Sequence, residues 1–249
     1  MCFTVSVKTE KIEKIGKVYG EIFRSELEIN FQDTAAYTPY YFVSGFSFPK
    51  LPVIKEDGIA LFNWGLIPDW IHDNEKAMQH RNNTLNAVSE TIFEKASFKA
   101  SILDKRCIIP VTGFFEWKTV GKEKIPYFIQ PTDREFFSLA GIYNIWHDKQ
   151  SNQQIKTFSI LTTPANALMS EIHNTKKRMP LIIKHGQEPQ WVKPNASAAS
   201  IQSMFQPYND RQMEAYTISK MANNSRNNRN VPEILTPVDN NNQSQLTLF

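Results

Sequence analysis

Apolar side chains recur along this sequence at two different spacings, and the change from one to the other predicts the class of fold. In residues 17–30, Val18, Ile22, Phe23 and Leu27 stand at helical spacing. Residues 59–67 form an apolar run ended by Pro68, which reads as a strand with a helix after it. From Ser89, a residue suited to an N-cap, Ile92, Phe93, Ala96, Ala100 and Leu103 share one face of a helix ending near Asp104. The texture then turns to short β-rich runs at 107–111, 114–117, 127–130, 136–143 and 156–162, separated by Gly113, Gly121, Pro131 and similar turn residues. Strands that follow one another without intervening helices favour antiparallel pairing. Pro164 is expected to open a short helix through Met169, followed by a strand at 180–184 and helices at 188–192 and 196–205. The fold class is therefore α+β. Beyond Met221 the chain is rich in Asn and reads as a polar tail with little to bury.

Composition narrows this further. A chain of 249 residues that is 41% hydrophobic can bury a sizeable core, and no internal repeat or linker splits it, so one globular domain is expected. No apolar run approaches the ~18–20 residues of a membrane span, and Lys8, Glu10, Lys11 and Glu13 occupy the place of a signal peptide's apolar stretch. A cytoplasmic location and no membrane partner are the expectation. The two cysteines, Cys2 and Cys107, lack the companions of a disulfide framework or a zinc site, so no metal and no cofactor is expected. Cys107, beside Ile108 and Ile109, reads as a buried structural thiol. A net charge of +3 does not by itself point to nucleic acid, but residues 95–125 hold seven Lys or Arg against three acids, and residues 173–185 hold Lys176, Lys177, Arg178 and Lys184 with none. Such runs are also compatible with a solvated face.

Cys2 follows the initiator methionine directly, and its small side chain permits removal of Met1. One residue then carries both an α-amine and a thiol. The amine, with a reference pKa of about 8, is far more often neutral at pH 7 than a lysine and can form a Schiff base with an aldehyde. The neighbouring thiol can add to that imine and close a thiazolidine ring. Position alone also fits a small buried residue at the start of a strand.

A series of motifs gives the position its context. Met1-Cys2 is followed by Trp64-Gly65-Leu66-Ile67-Pro68-Asp69-Trp70 and Leu85-Asn86-Ala87-Val88-Ser89-Glu90-Thr91. Then come Arg106-Cys107-Ile108-Ile109-Pro110, Gly113-Phe114-Phe115-Glu116-Trp117-Lys118, Thr162-Thr163-Pro164-Ala165-Asn166 and Ile172-His173-Asn174 with Arg178-Met179-Pro180. In this order they resemble the SRAP family, the SOS-response-associated peptidases, also described as abasic-site processing proteins. The resemblance spans residues 1–238 and implies a mainly antiparallel, barrel-like β core with peripheral helices. It implies a monomeric sensor that crosslinks through Cys2 to abasic sites in single-stranded DNA during the DNA damage response. A peptidase or hydrolase activity, at least on Met1, is implied with it.

By that resemblance the active residues fall on Cys2, Asn86, Glu116 and His173. A carboxylate at Glu116 can exchange protons with the Cys2 amine, although a strand position paired to Lys118 or Lys122 fits too. His173 can give a proton to the sugar ring oxygen, and Asn86 has a donor and an acceptor to hold a hydroxyl or Cys2 itself; Asn is also common in turns. Trp70 is the aromatic expected against a base, with core packing as its other use. Arg106, Lys176, Lys177, Arg178, Arg226 and Arg229 are candidate phosphate contacts. The sequence departs from the family's usual pattern at Phe3, Thr4 and Val88, which stand where a Gly and two arginines are common; Arg81 is the candidate replacement. Two other classes fit parts of the pattern. An N-terminal-nucleophile amidohydrolase would use the Cys2 thiol on an amide. A non-catalytic single-stranded DNA-binding module would use the basic residues alone. Finally, Gln245-Leu246-Thr247-Leu248-Phe249 resembles the short peptide by which bacterial polymerases and repair proteins dock on the replication sliding clamp. Gln245, Leu246, Leu248 and Phe249 would make the contacts from a flexible tail at 239–249.

Overall fold

The β-rich stretches after Lys105 become the centre of the molecule, and the earlier apolar runs close around them. The computed structural model describes residues 2–239 apart from residues 24–30, 33 and 150. Leu27 of the first expected helix, Met1 and the clamp-docking peptide Gln245 to Phe249 thus lie outside the described residues. In chain order the strands are β1 (Thr4–Val7), β2 (Phe31–Gln32), β3 (Tyr40–Ser44), β4 (Lys50–Lys55), β5 (Gly58–Trp64), β6 (Asn86–Val88) and β7 (Arg106–Val111). They continue as β8 (Gly113–Val120), β9 (Glu123–Pro131), β10 (Phe137–His147), β11 (Gln154–Pro164), β12 (Arg178–Pro180) and β13 (Met213–Thr217). The helices are short: α1 (Ile12–Phe23), α2 (Asn74–His80), α3 (Lys99–Asp104), α4 (Ala167–Ile172), α5 (Glu188–Val192) and α6 (Ala198–Ser203).

Five strands close into a barrel. Antiparallel seams join β11 to β10, β10 to β7, β7 to β4 and β4 to β5, and a parallel seam returns β5 to β11. β12 and β6 flank β11, and a second sheet runs β13-β9-β8-β1-β3. The fold is thus α+β with a mainly antiparallel core. β7 is buried at every position, which explains why Cys107 to Val111 run apolar without alternation. Gly113 opens β8 where a Cβ would collide with the Phe128 ring and the Ile129 carbonyl, so the two strands approach there as only glycine allows. No helix among the described residues is long and apolar enough to cross a membrane.

Several expected elements are displaced. The helix expected from Ser89 to Asp104 is a 3-10 turn at Ser89–Thr91, a run of turns, and α3 alone. Ile92 and Phe98 are both buried, yet six residues apart they would point about 120° away from each other on one helix. Tertiary burial of both breaks the helix. Ser89 Oγ donates to the Glu90 carboxylate at 2.9 Å and caps nothing. Pro164 ends β11, paired with Arg178, and Asn166 caps α4 by accepting from the Met169 N–H at 2.8 Å. The expected strand 180–184 shifts to β12, and the chain then crosses to β10, where Ile182 bridges Leu139. The expected helix 196–205 contracts to α6, with Ser197 as its cap. β13 and the segment after Met221 were not legible as structure. Beyond Met221 the chain is no loose tail up to Asp239: Ala222 and Ile234 are buried against Phe42, Phe115 and Phe128. The asparagines there serve the backbone, since Asn230 Oδ1 accepts from the Tyr41 and Phe42 N–H groups.

Candidate active site

β1 runs antiparallel to β8 with Val5 opposite Phe114 and Ser6 opposite Gly113. Continuing that register carries Phe3 and Cys2 alongside Glu116 and Trp117. Cys2 is fully buried, and its thiol donates weakly to the Thr4 carbonyl at 3.9 Å. Burial, reinforced by the Glu116 carboxylate, pushes the thiol well above its ordinary value, so it is held neutral. Alternation along β8 sends Phe115 into the apolar cluster with Phe42 and Phe128 and turns Glu116 the other way. Glu116 is buried too, and that burial pushes its pKa up to about 8.

His173 follows the last turn of α4, with its N–H donating to the Met169 carbonyl at 2.8 Å. The next residue fixes its position. Asn174 accepts from the Thr119 N–H at 3.1 Å and donates to the Thr119 carbonyl at 2.8 Å, clasping the turn to β8. His173 Nδ1 thereby lies 3.8 Å from Glu116 Oε1 and 2.9 Å from the Arg178 carbonyl. A carbonyl only accepts, so Nδ1 carries a hydrogen and neutral His173 keeps a lone pair on Nε2. Burial lowers the imidazole pKa, with the Arg178 carbonyl opposing. Glu116 and His173 open onto a cleft of about 740 Å³ that Phe3, Trp117, Lys122, Lys124, Lys176 and Arg229 also line. Asn86 begins β6, in register with Ile160 of β11. Its amide is buried with neither Nδ2 nor Oδ1 hydrogen-bonded to the described residues. Two such orphan groups are costly unless a ligand or water meets them.

The basic candidates divide. Lys176 is exposed at the cleft, and Arg229 lines it with the guanidinium 4.5 Å over the Phe42 ring. Lys177 and Arg226 are exposed as well. Arg106 is 2% exposed, and its guanidinium donates to the carbonyls of Trp191, Ile102, Leu103 and Lys193, which holds it buried away from any phosphate. Arg81 is likewise buried, donates to the Trp64 carbonyl at 3.0 Å and lies 4.2 Å over the Phe48 ring. Burial lowers its pKa to about 10. It therefore does not replace the arginines absent at Thr4 and Val88. Arg178 is tied to Glu90 and to the Thr162 carbonyl, and it holds β12 against the Ser89–Thr91 turn. Trp70 is 54% exposed, its indole N–H donating to the Ala96 carbonyl at 3.3 Å. Cys107 is buried inside β7, where burial raises its thiol pKa. The wall made by Trp117 and Asn223, joined at 2.6 Å, and the cations Lys122 and Lys124 on the β8–β9 hairpin were not singled out from sequence. The lysines' signal was their density near Gly121, and Trp117 stood in the Gly113–Lys118 motif with no role of its own. Among the described residues no group of three or more His, Cys, Asp or Glu is arranged to hold a metal.

Comparison with known proteins places this geometry among relatives. The family described as SOS response associated peptidase (SRAP) matches residues 1–225. The abasic site processing protein YoqW of Bacillus subtilis is 39% identical over 179 residues, covering 71% of this chain and 75% of its own. The abasic site processing protein YoaM of the same organism is 40% identical over 172 residues, 68% of this chain and 72% of its own. A crystal structure of a Bacteroides thetaiotaomicron protein superposes with a TM-score of 0.84 at 40% identity, covering 96% of this chain and all of that one.

Proposed function

The chain belongs to the SOS response associated peptidase family, and from that membership and the geometry around Cys2 we propose that it processes abasic sites in DNA by covalent capture. Removal of Met1 frees the Cys2 amine, which bonds to the sugar aldehyde of an abasic site in single-stranded DNA. The observation that carries this is the burial of Cys2 next to Glu116, which lies 3.8 Å from His173 where the two open onto a cation-lined cleft. A thiol held neutral is a poor first nucleophile, which favours attack by the amine and disfavours the amidohydrolase alternative, where a thiolate must attack. Proton transfers suit the pair. The abasic sugar is a closed hemiacetal, so its anomeric hydroxyl must lose a proton while its ring oxygen gains one and the ring C–O bond breaks. Neutral His173 can accept the first proton at Nε2, and Glu116, protonated below about pH 8, can supply the second. In this step Glu116, rather than His173, protonates the ring oxygen. Amine and aldehyde then condense to an imine with loss of one water. The thiol adds across C=N, its sulfur bonding to carbon and its proton passing to nitrogen, so the thiazolidine forms with no further loss. The orphan amide of Asn86 is suited to hold a sugar hydroxyl or the carbinolamine oxygen.

The test is incubation of the protein with a single-stranded oligonucleotide carrying one abasic site, followed by a heated denaturing gel. A heat-stable adduct is expected, and none with the same oligonucleotide after borohydride reduction, since reduction converts the aldehyde to an alcohol. An equal adduct on reduced DNA would exclude aldehyde capture.

A further inference from the structure

Resting on the reading just given, we infer that Phe3 and Phe46 form a stacking platform for the nucleobase next to the abasic sugar. Phe3 stands directly after Cys2, lines the cleft with Glu116 and His173, and meets the Phe46 ring at a centroid distance of 5.1 Å and an interplanar angle of 38°. Phe46 is 55% exposed, and its exposure is built in. The 3-10 turn Gly45–Ser47 is locked to the strand beginning by the Gly45 N–H, which donates to the Phe3 carbonyl at 2.8 Å. Ser44 Oγ accepts from the Phe46 N–H at 3.4 Å, and Ser47 Oγ donates to the Ser44 carbonyl at 2.7 Å. A Cβ on Gly45 would press on the Trp64 indole at 3.0 Å, and Phe48 closes the turn with φ 50° while its own ring turns to Arg81. The turn therefore holds one large ring outward on rigid backbone at the mouth of the site.

The other exposed aromatics are otherwise engaged, Trp70 by its hydrogen bond and the His80 ring, Phe31 by contact with Gly16. The occupant follows from charge and from the lesion. Lys122, Lys124, Lys176 and Arg229 around the same cleft match a polyanion. A strand that lacks one base leaves its neighbour with an unstacked face, and a phenyl ring beside the lesion can cover it. Stacking of a base on an aromatic side chain contributes about 1–3 kcal/mol.

Two short single strands with equal phosphate number separate this from charge alone. One carries a non-reactive tetrahydrofuran sugar flanked by adenines, the other has the flanking bases replaced by tetrahydrofuran as well. Fluorescence anisotropy should show the wild type favouring the base-flanked strand. Phe46→Ala should lose about 5- to 150-fold on that strand and stay within about two-fold on the baseless one, which also reports that it folds. Phe46→Trp should keep the preference. Equal loss on both strands, or no loss on either, overturns the platform while leaving abasic capture standing. Wild type that binds neither strand overturns both. Self-association of the wild type in sedimentation that Phe46→Ala abolishes would instead make this face a protein contact and overturn the inference.

Discussion

Burial decides the protonation of each group around Cys2. Glu116 gains its raised pKa from the fold, so the sign of its effect on stability is determined. Its pKa rises from an ordinary 4.5 to about 8, and its protonated form therefore contributes stability that is complete below pH ~4.5 and lost as pH climbs through about 8. Glu116→Gln should melt above the wild type at pH 9 and lose that advantage at pH 5, with each kcal/mol appearing as about 2–4 °C for a domain of this size. The same substitution should slow adduct formation by about 10²- to 10⁴-fold at pH 7 while leaving non-covalent affinity for abasic single strands within a few-fold. Unfolding of Glu116→Gln at every pH would show a purely structural carboxyl. Arg106 offers the opposite case. Its four carbonyl acceptors make it a clamp between β7 and α5, so Arg106→Ala should cost at least about 3 kcal/mol in urea melts without changing DNA affinity of the folded fraction. While the roles of Glu116 and His173 are proposals, that the two come together was readable from the motifs. Whether a given arginine reaches solvent was not, because a buried guanidinium saturated by carbonyls and an exposed one have the same sequence signature.

Among elements, the strands were more legible than the helices for a physical reason. The runs after Lys105 carry apolar, β-rich stretches set off by Gly113, Gly121, Pro131 and Pro164, so each was found, although β8 to β11 all extend beyond the expected runs. The run after Ser89 is shaped by tertiary burial of Ile92 and Phe98 and by the Arg178 pair with Glu90, which no local period records. The Asn-rich stretch misled in the same way, since Asn223 and Asn230 are bound to Trp117 and to the backbone of β3 across more than a hundred residues. At this scale the clasp between Asn174 and Thr119 is the device that presents His173. Asn174→Ala should leave DNA affinity within about two-fold and slow crosslinking by roughly ten-fold, a split between binding and reaction that a loss of fold would not produce. Single-turnover rates with saturating protein check it. Equal losses in affinity and rate would show that the turn matters only for stability.

At the scale of the whole molecule, cations gather around the cleft, where Lys122, Lys124, Lys176 and Arg229 line it. Lys124→Glu with Lys176→Glu should weaken binding of single strands and reduce the salt slope, by about 0.7 for each phosphate that a lysine no longer neutralises. We also propose that Gln245, Leu246, Leu248 and Phe249 dock on the sliding clamp. Deleting residues 245–249 should leave crosslinking of free oligonucleotides intact and abolish clamp binding in surface plasmon resonance; equal clamp affinity with and without them would exclude the proposal. The central proposal is that Cys2 supplies both the nitrogen and the sulfur that bond to the sugar carbon. Intact-mass spectrometry of the heat-treated adduct measures this directly. The mass should equal the chain without Met1 plus the abasic oligonucleotide less one water, and Cys2→Ala should yield no adduct that survives heating. An adduct that retains Met1, or one of equal yield and heat stability in Cys2→Ala, would contradict it.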